Sequence, residues 1–478
     1  MKRFIILLLS TSSILFYGCP GRQPIIPPDP PVQASQIELT ADSVYLYSKE
    51  AYYWNSTIPD YNTFNPRQYK GETELKTAEA IMQKIRSYSE NNLDRWSYAT
   101  TYEQGGGLVK SGDEIDWGFF VKSGFNSSGS FKGWFVSYVY PDSDAGKDGV
   151  KRGWKINKID GTTLLYTQAS TDILNRVFIN SDVGASAQFE FQKPDGTTQI
   201  GSYSIKKFKA NPILYQEVIT DIPGKNVGYF VYNRFFNTDV TALVDLFSYF
   251  QNQQVNELVV DLRYNLGGVT TTQDALADLI APLSANGSVM YYMQYNQQLQ
   301  NNQYPLLKNK FRWPNNFFTK AHNTEYFYKR GDVNLQRVFF IVSDNTASAS
   351  ELLINNLKPV MDVKLIGDGK TRGKPVGYFG VDLFEKITFY PISFQTFNKN
   401  DASIPFSGVV PDFLDNRLDG VDKDWGNRNE GCLFSALYYI QHGVSPPINT
   451  IPRSVAPELK LEPKELGTTG LIKLFDTH

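Results

Sequence analysis

Between residues 211 and 443 the chain alternates short, wholly apolar runs with segments of helical spacing, and this limits its fold more than any other feature. VGYFVY (227–232), ELVVDL (257–262) and VFFIV (338–342) have strand length, and 363–366 is a shorter run of the same kind. A strand apolar on both faces must be covered on both sides. Residues 238–251, 273–283 and 350–357 carry apolar side chains at helical spacing. Strand followed by helix, repeated, predicts an α/β domain with a largely parallel sheet. Residues 376–406 turn β-rich, and no internal repeat is present.

The rest of the chain divides around that region. Residues 37–107 show helical spacing at 42–54 and 72–88 and predict a small helical N-terminal domain. Residues 108–209 consist of short β-type runs broken by Gly, Asp and Pro, with one short helix candidate at DSDAGKDGV. Residues 210–445 form the α/β domain, and 446–478 a Pro-rich tail expected to run along the surface. The fold class is thus α/β and multidomain. Lys+Arg 47 against Asp+Glu 49 leaves a net charge of −2, which argues against a bulk nucleic-acid binder.

Residues 1–19, MKRFIILLLSTSSILFYGC, have a short basic start and an apolar stretch, the pattern of a secretion signal. Its Gly18-Cys19 ending resembles a bacterial lipoprotein signal, in which Cys19 would carry the lipid, although Phe16 replaces the usual Leu. The Pro-rich residues 20–36 read as an extended tether. Cys432 is the only other cysteine and lies in an apolar helical pattern, so it is expected to be a buried thiol. Two cysteines cannot build a zinc cluster.

Three segments of the α/β region could meet at the carboxyl ends of its strands: DLRYNLGG, SDNTASASE and GDGKTRGKPVG. Ser348-Ala349-Ser350-Glu351 has the spacing of a helix-capping box, a wholly structural role. A serine at a helix start also stands where backbone N–H groups favour developing negative charge, as a nucleophile requires. Ala349 N–H could hold an oxyanion, and Gly267-Gly268 could offer a second backbone donor. Gly-Gly after a strand is also a common turn. None of the three histidines, His322, His442 and His478, is beside these loops in sequence, which disfavours a Ser-His-Asp triad without closing it to folding and makes lysine the alternative base. Burial makes a lysine a usable neutral base. Lys370 and Lys374 both lie in the right loop, where a lysine is ordinarily a solvated charge.

Taken together, N-T-A-S-A-S-E, D-L-R-x-N-x-G-G, G-K-x-x-G-K, V-G-Y-F-V-Y-N-R-F and G-V-V-P-D resemble the carboxy-terminal processing (tail-specific) proteases over roughly residues 40–443. The resemblance implies a protease core of the ClpP/crotonase-like type with a PDZ domain. It implies Ser348 as nucleophile, Lys374 as general base, and Ala349 with Gly267 or Gly268 as oxyanion donors. Gly267 is the less secure of the two glycines. Many members carry Gln four residues after the lysine, where this chain has Tyr378, a possible orienting residue. The lysine is also 26 positions after Ser348, one more than the commonest family spacing. GWKINKIDG after the short helix is similar to a PDZ segment, and Gly118, Phe119 and Phe120 would then lie near the peptide-carboxylate loop.

The function this implies is a serine endopeptidase of the bacterial cell envelope, lipid-anchored and facing the periplasm. It would act on polypeptides with accessible apolar C-termini, and would need no metal or organic cofactor and no nucleic acid. The alternative is an inactive peptide- or ligand-binding lipoprotein of the same fold, to which Tyr378 points. A glycan-binding or scaffold lipoprotein would rest on aromatic content alone.

Overall fold

The computed structural model describes residues 34–102, 112–237, 240–457 and 471–472. The secretion-signal and lipidation expectations, Cys19 included, lie outside these residues. Among the described residues no helix is long and apolar enough to cross a membrane.

Helices α1 (Gln36–Ala51) and α2 (Glu74–Arg86) open the chain. Thr73 caps α2 by accepting from Lys76 N, and Ala78, Ile81, Met82 and Ile85 bury one face of the helix. That face belongs to the same apolar cluster as Phe230, Val260 and Leu353, so the helical segment is packed into the core of the α/β region.

The β-rich segment folds around a separate core built on Trp117, Phe119, Trp134, Ile156 and Phe189. Its strands β1 (Phe119–Phe125), β2 (Phe131–Val139), β3 (Lys155–Ile159), β4 (Ser186–Gln192) and β5 (Thr198–Ser204) lie side by side in that order, with the helix α3 (Gln168–Leu174) between β3 and β4. The short helix expected in DSDAGKDGV is present at Asp144–Lys147, capped by Ser143.

The third region holds a six-stranded sheet in the order β6 (Ile213–Ile219), β7 (Val227–Tyr232), β8 (Glu257–Asp261), β10 (Arg337–Val342), β11 (Asp362–Gly367) and β14 (Phe413–Leu414). All pairs are parallel except β6 with β7. Alternate residues of its apolar strands serve opposite faces. Leu258, Val260, Val338 and Phe340 pack on the side of α4 (Val240–Asn252), α5 (Thr270–Ile280) and α6 (Ala349–Leu357). Val259, Phe339 and Ile341 pack on the side of α7 (Gly431–His442). This is why those strands read as continuous apolar runs. Cys432 sits in α7 as a free, buried thiol.

A second sheet contains β9 (Val289–Tyr295), β13 (Ile392–Asn398), β12 (Val376–Tyr378) and β15 (Leu471–Ile472), in that order. Within the tail, residues 447–450 are exposed and Ala456 is buried. Ala456 pairs with Phe125 at the edge of β1, and β15 adds a strand to β12.

Candidate active site

The carboxyl ends of β8, β10 and β11 lead into three loops, and hydrogen bonds tie the loops together. In the first, Asn265 reaches back to the Tyr232 carbonyl through Nδ2 (2.9 Å) and takes the Gly267 N–H on Oδ1 (2.8 Å). The Asn265 carbonyl accepts from Ala347 N (3.0 Å) and Ser350 Oγ (3.2 Å), which joins the glycine loop to the serine loop. Arg372 joins the third loop to the second, its N–H on the Thr346 carbonyl (2.9 Å) and its Nη2 on Asn345 Oδ1 (2.9 Å).

Ser348 opens α6 with φ 60° and ψ −111°. Positive φ in a residue other than glycine is strained and tends to persist at functional positions. A sharp, strained strand-to-helix turn is also how the nucleophile elbow of other hydrolases exposes its serine. Ser348 is 1% exposed. Its hydroxyl stands over the first turn of α6 in the capping-box arrangement but makes no hydrogen bond among the described residues. The capping reading is thus half fulfilled: Glu351 reaches back to the Ser348 N–H (2.9 Å), while Oγ is left over.

Glu351 does more than cap. Its Oε2 takes the N–H groups of Ser348 (2.9 Å) and Lys374 (2.8 Å), and its Oε1 takes Gly373 N–H (2.7 Å) and Thr371 Oγ1–H (2.5 Å). One wholly buried carboxylate therefore fixes both the serine turn and the lysine loop. Burial pushes the Glu351 carboxyl up, and the four donors pull against that rise without cancelling it. The sequence held only the local half of this role, because Thr371, Gly373 and Lys374 are distant along the chain.

Lys374 is 3% exposed, whereas Lys370 faces solvent. The Lys374 ammonium lies 3.4 Å from the Tyr378 hydroxyl, 4.6 Å from that ring's centre and 5.7 Å from the Trp96 ring. Tyr378 is fully buried, with Tyr98 (5.6 Å between ring centres) and Tyr390 (5.3 Å) against it. The tyrosine thus reaches the lysine from the place where related sequences carry glutamine.

The two glycines differ in what their N–H groups do. Gly267 N–H is taken by Asn265, while the N–H groups of Gly268 and Ala349 have no acceptor among the described residues. Gly267 has φ +103°, and a Cβ there would come within 2.8 Å of Ser348 Cβ. Gly268 has φ +145°, and its Cβ would lie 2.1 Å from the Phe235 carbonyl oxygen. Both positions need glycine for these close approaches.

Gly118, Phe119 and Phe120 sit at the start of β1. Gly118 N–H donates to Asp116 Oδ1 (2.5 Å), so the backbone donor expected for a peptide carboxylate already holds a carboxylate of this chain. Phe119 and Phe120 line a cavity of about 450 Å³ shared with Trp96, Arg234, Leu266 and Asn345. It runs from the β-rich domain to the residues flanking the glycine and serine loops.

Buried charges join the two regions behind the site. Asp419 Oδ1 takes Arg152 of the β-rich domain (2.7 Å) and Arg263 of the D-L-R segment (3.0 Å). Arg263 also pairs with Asp261 (2.7 Å) and Glu430 (2.7 Å), and Tyr264 donates to Asp419 (2.6 Å). Burial would raise the Asp419 carboxyl, but Arg152, Lys122 and Arg263 outweigh it and hold it well below the usual carboxylate range.

His322 packs against Phe317 and His442 against Tyr438, each pair of rings tilted at 42°. Among the described residues no group of three His, Cys, Asp or Glu side chains could hold a metal ion.

Residues 226–414 match the family model of peptidase family S41. No curated protein sequence matches the chain. A crystal structure from Bacteroides fragilis, assigned to the S41 proteases, superposes with a TM-score of 0.62 at 20% identity, covering 84% of this chain and 98% of that one. At that identity the likeness speaks for the fold. The photosystem II D1 C-terminal processing protease aligns at 17% identity with a TM-score of 0.48, over 84% of this chain and 97% of its own. Over residues 226–414 the chain is therefore similar to peptidase family S41.

Proposed function

We propose that the chain is a serine endopeptidase in which Ser348 is the nucleophile and Lys374 the general base. Lys374, as the neutral amine favoured by burial, takes the Ser348 hydroxyl proton while Oγ attacks the scissile carbonyl. The N–H groups of Ala349 and Gly268 hold the oxyanion. As the tetrahedral intermediate collapses, the Lys374 ammonium returns the proton to the leaving amine. Water, activated by the same amine, then releases the acyl group. Tyr378 orients Lys374 in the role that glutamine has in related sequences. The observation that carries this reading is the single oxygen of Glu351 that receives the N–H groups of both Ser348 and Lys374.

The substrates are polypeptides recognised through their C-terminal region. The PDZ-like domain, by way of Phe119 and Phe120, presents an apolar chain to the cavity that leads to Leu266 and Asn345. Because Asp116 occupies Gly118 N–H, the side chains of the bound segment contribute more than its terminal carboxylate. Cys19 carries the lipid that holds the enzyme at the cell envelope, facing the periplasm.

The test is cleavage of an unfolded protein with an apolar C-terminus by protein lacking residues 1–19, beside Ser348→Ala, Lys374→Ala and Lys370→Ala. Activity in the wild type and Lys370→Ala, and in neither of the others, is expected. A folded wild type that binds but cuts nothing across several substrates and pH values would favour the ligand-binding reading.

A further inference from the structure

The strand that follows the lysine has its partners on both sides from unexpected sources. On one side β12 pairs antiparallel with β13, Gly377 opposite Phe394 and Tyr378 opposite Ile392. On the other side its strand partner among the described residues is β15, paired in parallel with Gly377 opposite Leu471 and Tyr378 opposite Ile472. Without β15, the backbone groups of a buried strand would face an open edge, and buried backbone groups need partners. Val376 and Tyr378 are both fully buried.

That edge is at the site. Lys374 precedes β12 and Tyr378 ends it, with the two side chains 3.4 Å apart. A chain added to the edge of a sheet runs about 4.8 Å from its neighbour, so a strand on β12 passes alongside the lysine loop. Edge addition binds through main-chain hydrogen bonds and tolerates many sequences, which suits an enzyme acting on unfolded polypeptides. The two residues that pair there, Leu471 and Ile472, are both apolar. The chain is tethered upstream, where Ala456 exchanges two hydrogen bonds with Phe125 on β1 (2.8 and 2.9 Å) and Val455 N–H rests on Asp422 (2.9 Å).

We infer that the outer edge of β12 is the site that binds an extended, apolar polypeptide strand beside Lys374, and that residues 471–472 occupy it as an internal competitor. This deepens the proteolytic reading and rests on it for the word substrate, but the strand site itself can be tested without catalysis.

Two variants remove the competitor: a protein ending at Pro457, and the full chain with Leu471→Pro and Ile472→Pro, which deletes two backbone donors. Both are expected to cleave an unfolded protein with kcat/KM raised roughly tenfold, the competition expected of a tethered segment at about millimolar effective concentration against a site of about 0.1 mM affinity. In a second arm, a fluorescent peptide of residues 466–478 is titrated into Ser348→Ala protein ending at Pro457, with thermal melting to show that it is folded. Binding by that protein, weaker binding by full-length Ser348→Ala, and no binding of the peptide N-methylated at Leu471 and Ile472 would support the inference. A folded shortened protein that does not bind the peptide would overturn it. So would binding unchanged by N-methylation, or shortened and proline variants that cleave no faster than an active full chain. Peptide binding without cleavage by any form would support the strand site and overturn the proteolytic reading instead.

Discussion

Lys374 Nζ lies 3.4 Å from the hydroxyl of Tyr378, four residues further along the chain. A hydroxyl at that distance gives the amine a fixed direction without a competing charge. Tyr378→Phe keeps the ring among Tyr98 and Tyr390 and removes only the oxygen. The expected result is an unchanged melting temperature and a kcat about fivefold lower, matching the roughly 1 kcal/mol of one hydrogen bond, with KM unaltered. Steady-state kinetics beside thermal melting checks this. An unchanged kcat would remove Tyr378 from the account of the site.

Glu351 is the acceptor for four donors and holds both the serine turn and the lysine loop. Glu351→Gln keeps the shape but turns one acceptor into a donor, which then faces N–H groups. A loss of about 1–3 kcal/mol in stability is expected from the unsatisfied buried groups. Activity should fall by about a hundredfold, because small misplacements of catalytic groups cost that much. Chemical denaturation and cleavage rates on the same preparation separate the two effects. Full activity in Glu351→Gln would show that the serine and lysine hold their places without it.

Gly268 and Gly267 make opposite claims on the backbone. Only Gly268 keeps its N–H without an acceptor among the described residues. Gly268→Ala should lower kcat by about 10²–10³, the cost of losing one oxyanion donor, because its Cβ would drive into the Phe235 carbonyl and turn the N–H. Circular dichroism and melting establish that the variant folds before its rate is read. Wild-type rates in a folded Gly268→Ala protein would assign the donor elsewhere.

Asp116 gives a pH prediction. Burial, and then the charge of Glu114, raise its carboxyl to about 7. The unfolded chain therefore releases this proton first as pH rises. The contribution to stability is whole below about pH 4 and is lost progressively up to about pH 7. Asp116→Asn retains an acceptor for Gly118 N–H and lacks the titration. Urea unfolding across that window should show a stability difference, wild type minus variant, that falls with rising pH; a flat difference would contradict the assignment.

Much of this arrangement was legible in the sequence because its strands are buried on both faces. VFFIV and ELVVDL announced themselves as central strands, and the loops after them had to share one edge of the sheet. That logic brought the loop of Ser348 and Ala349 toward the loop of Lys370 and Lys374, and the family resemblance alone preferred Lys374. Glu351 was readable only as a cap, since its partners Thr371, Gly373 and Lys374 are contacts made by folding. The choice of glycine was closed to sequence reasoning for the same reason: the Asn265 side chain decides it. The pairing of the tail was not legible, because prolines signal only an irregular path and the two-residue strand Leu471–Ile472 has too little pattern to announce itself.

The charges around Asp419 bear on how this protein can be taken apart. Arg152 comes from the β-rich domain, and Asp419 and Arg263 from the core, with none of the three side chains open to water. Removing one member of a buried ion pair costs about 3–5 kcal/mol, because its counterpart is stranded. The β-rich domain therefore cannot be excised to leave a simpler, always-open enzyme. Deleting it would strand Asp419 without Arg152 and loosen Arg263, two residues before Asn265, whose carbonyl and side chain fix the serine and glycine loops. For anyone building variants, the β-rich domain and the core behind it are one inheritance, to be exchanged together or not at all.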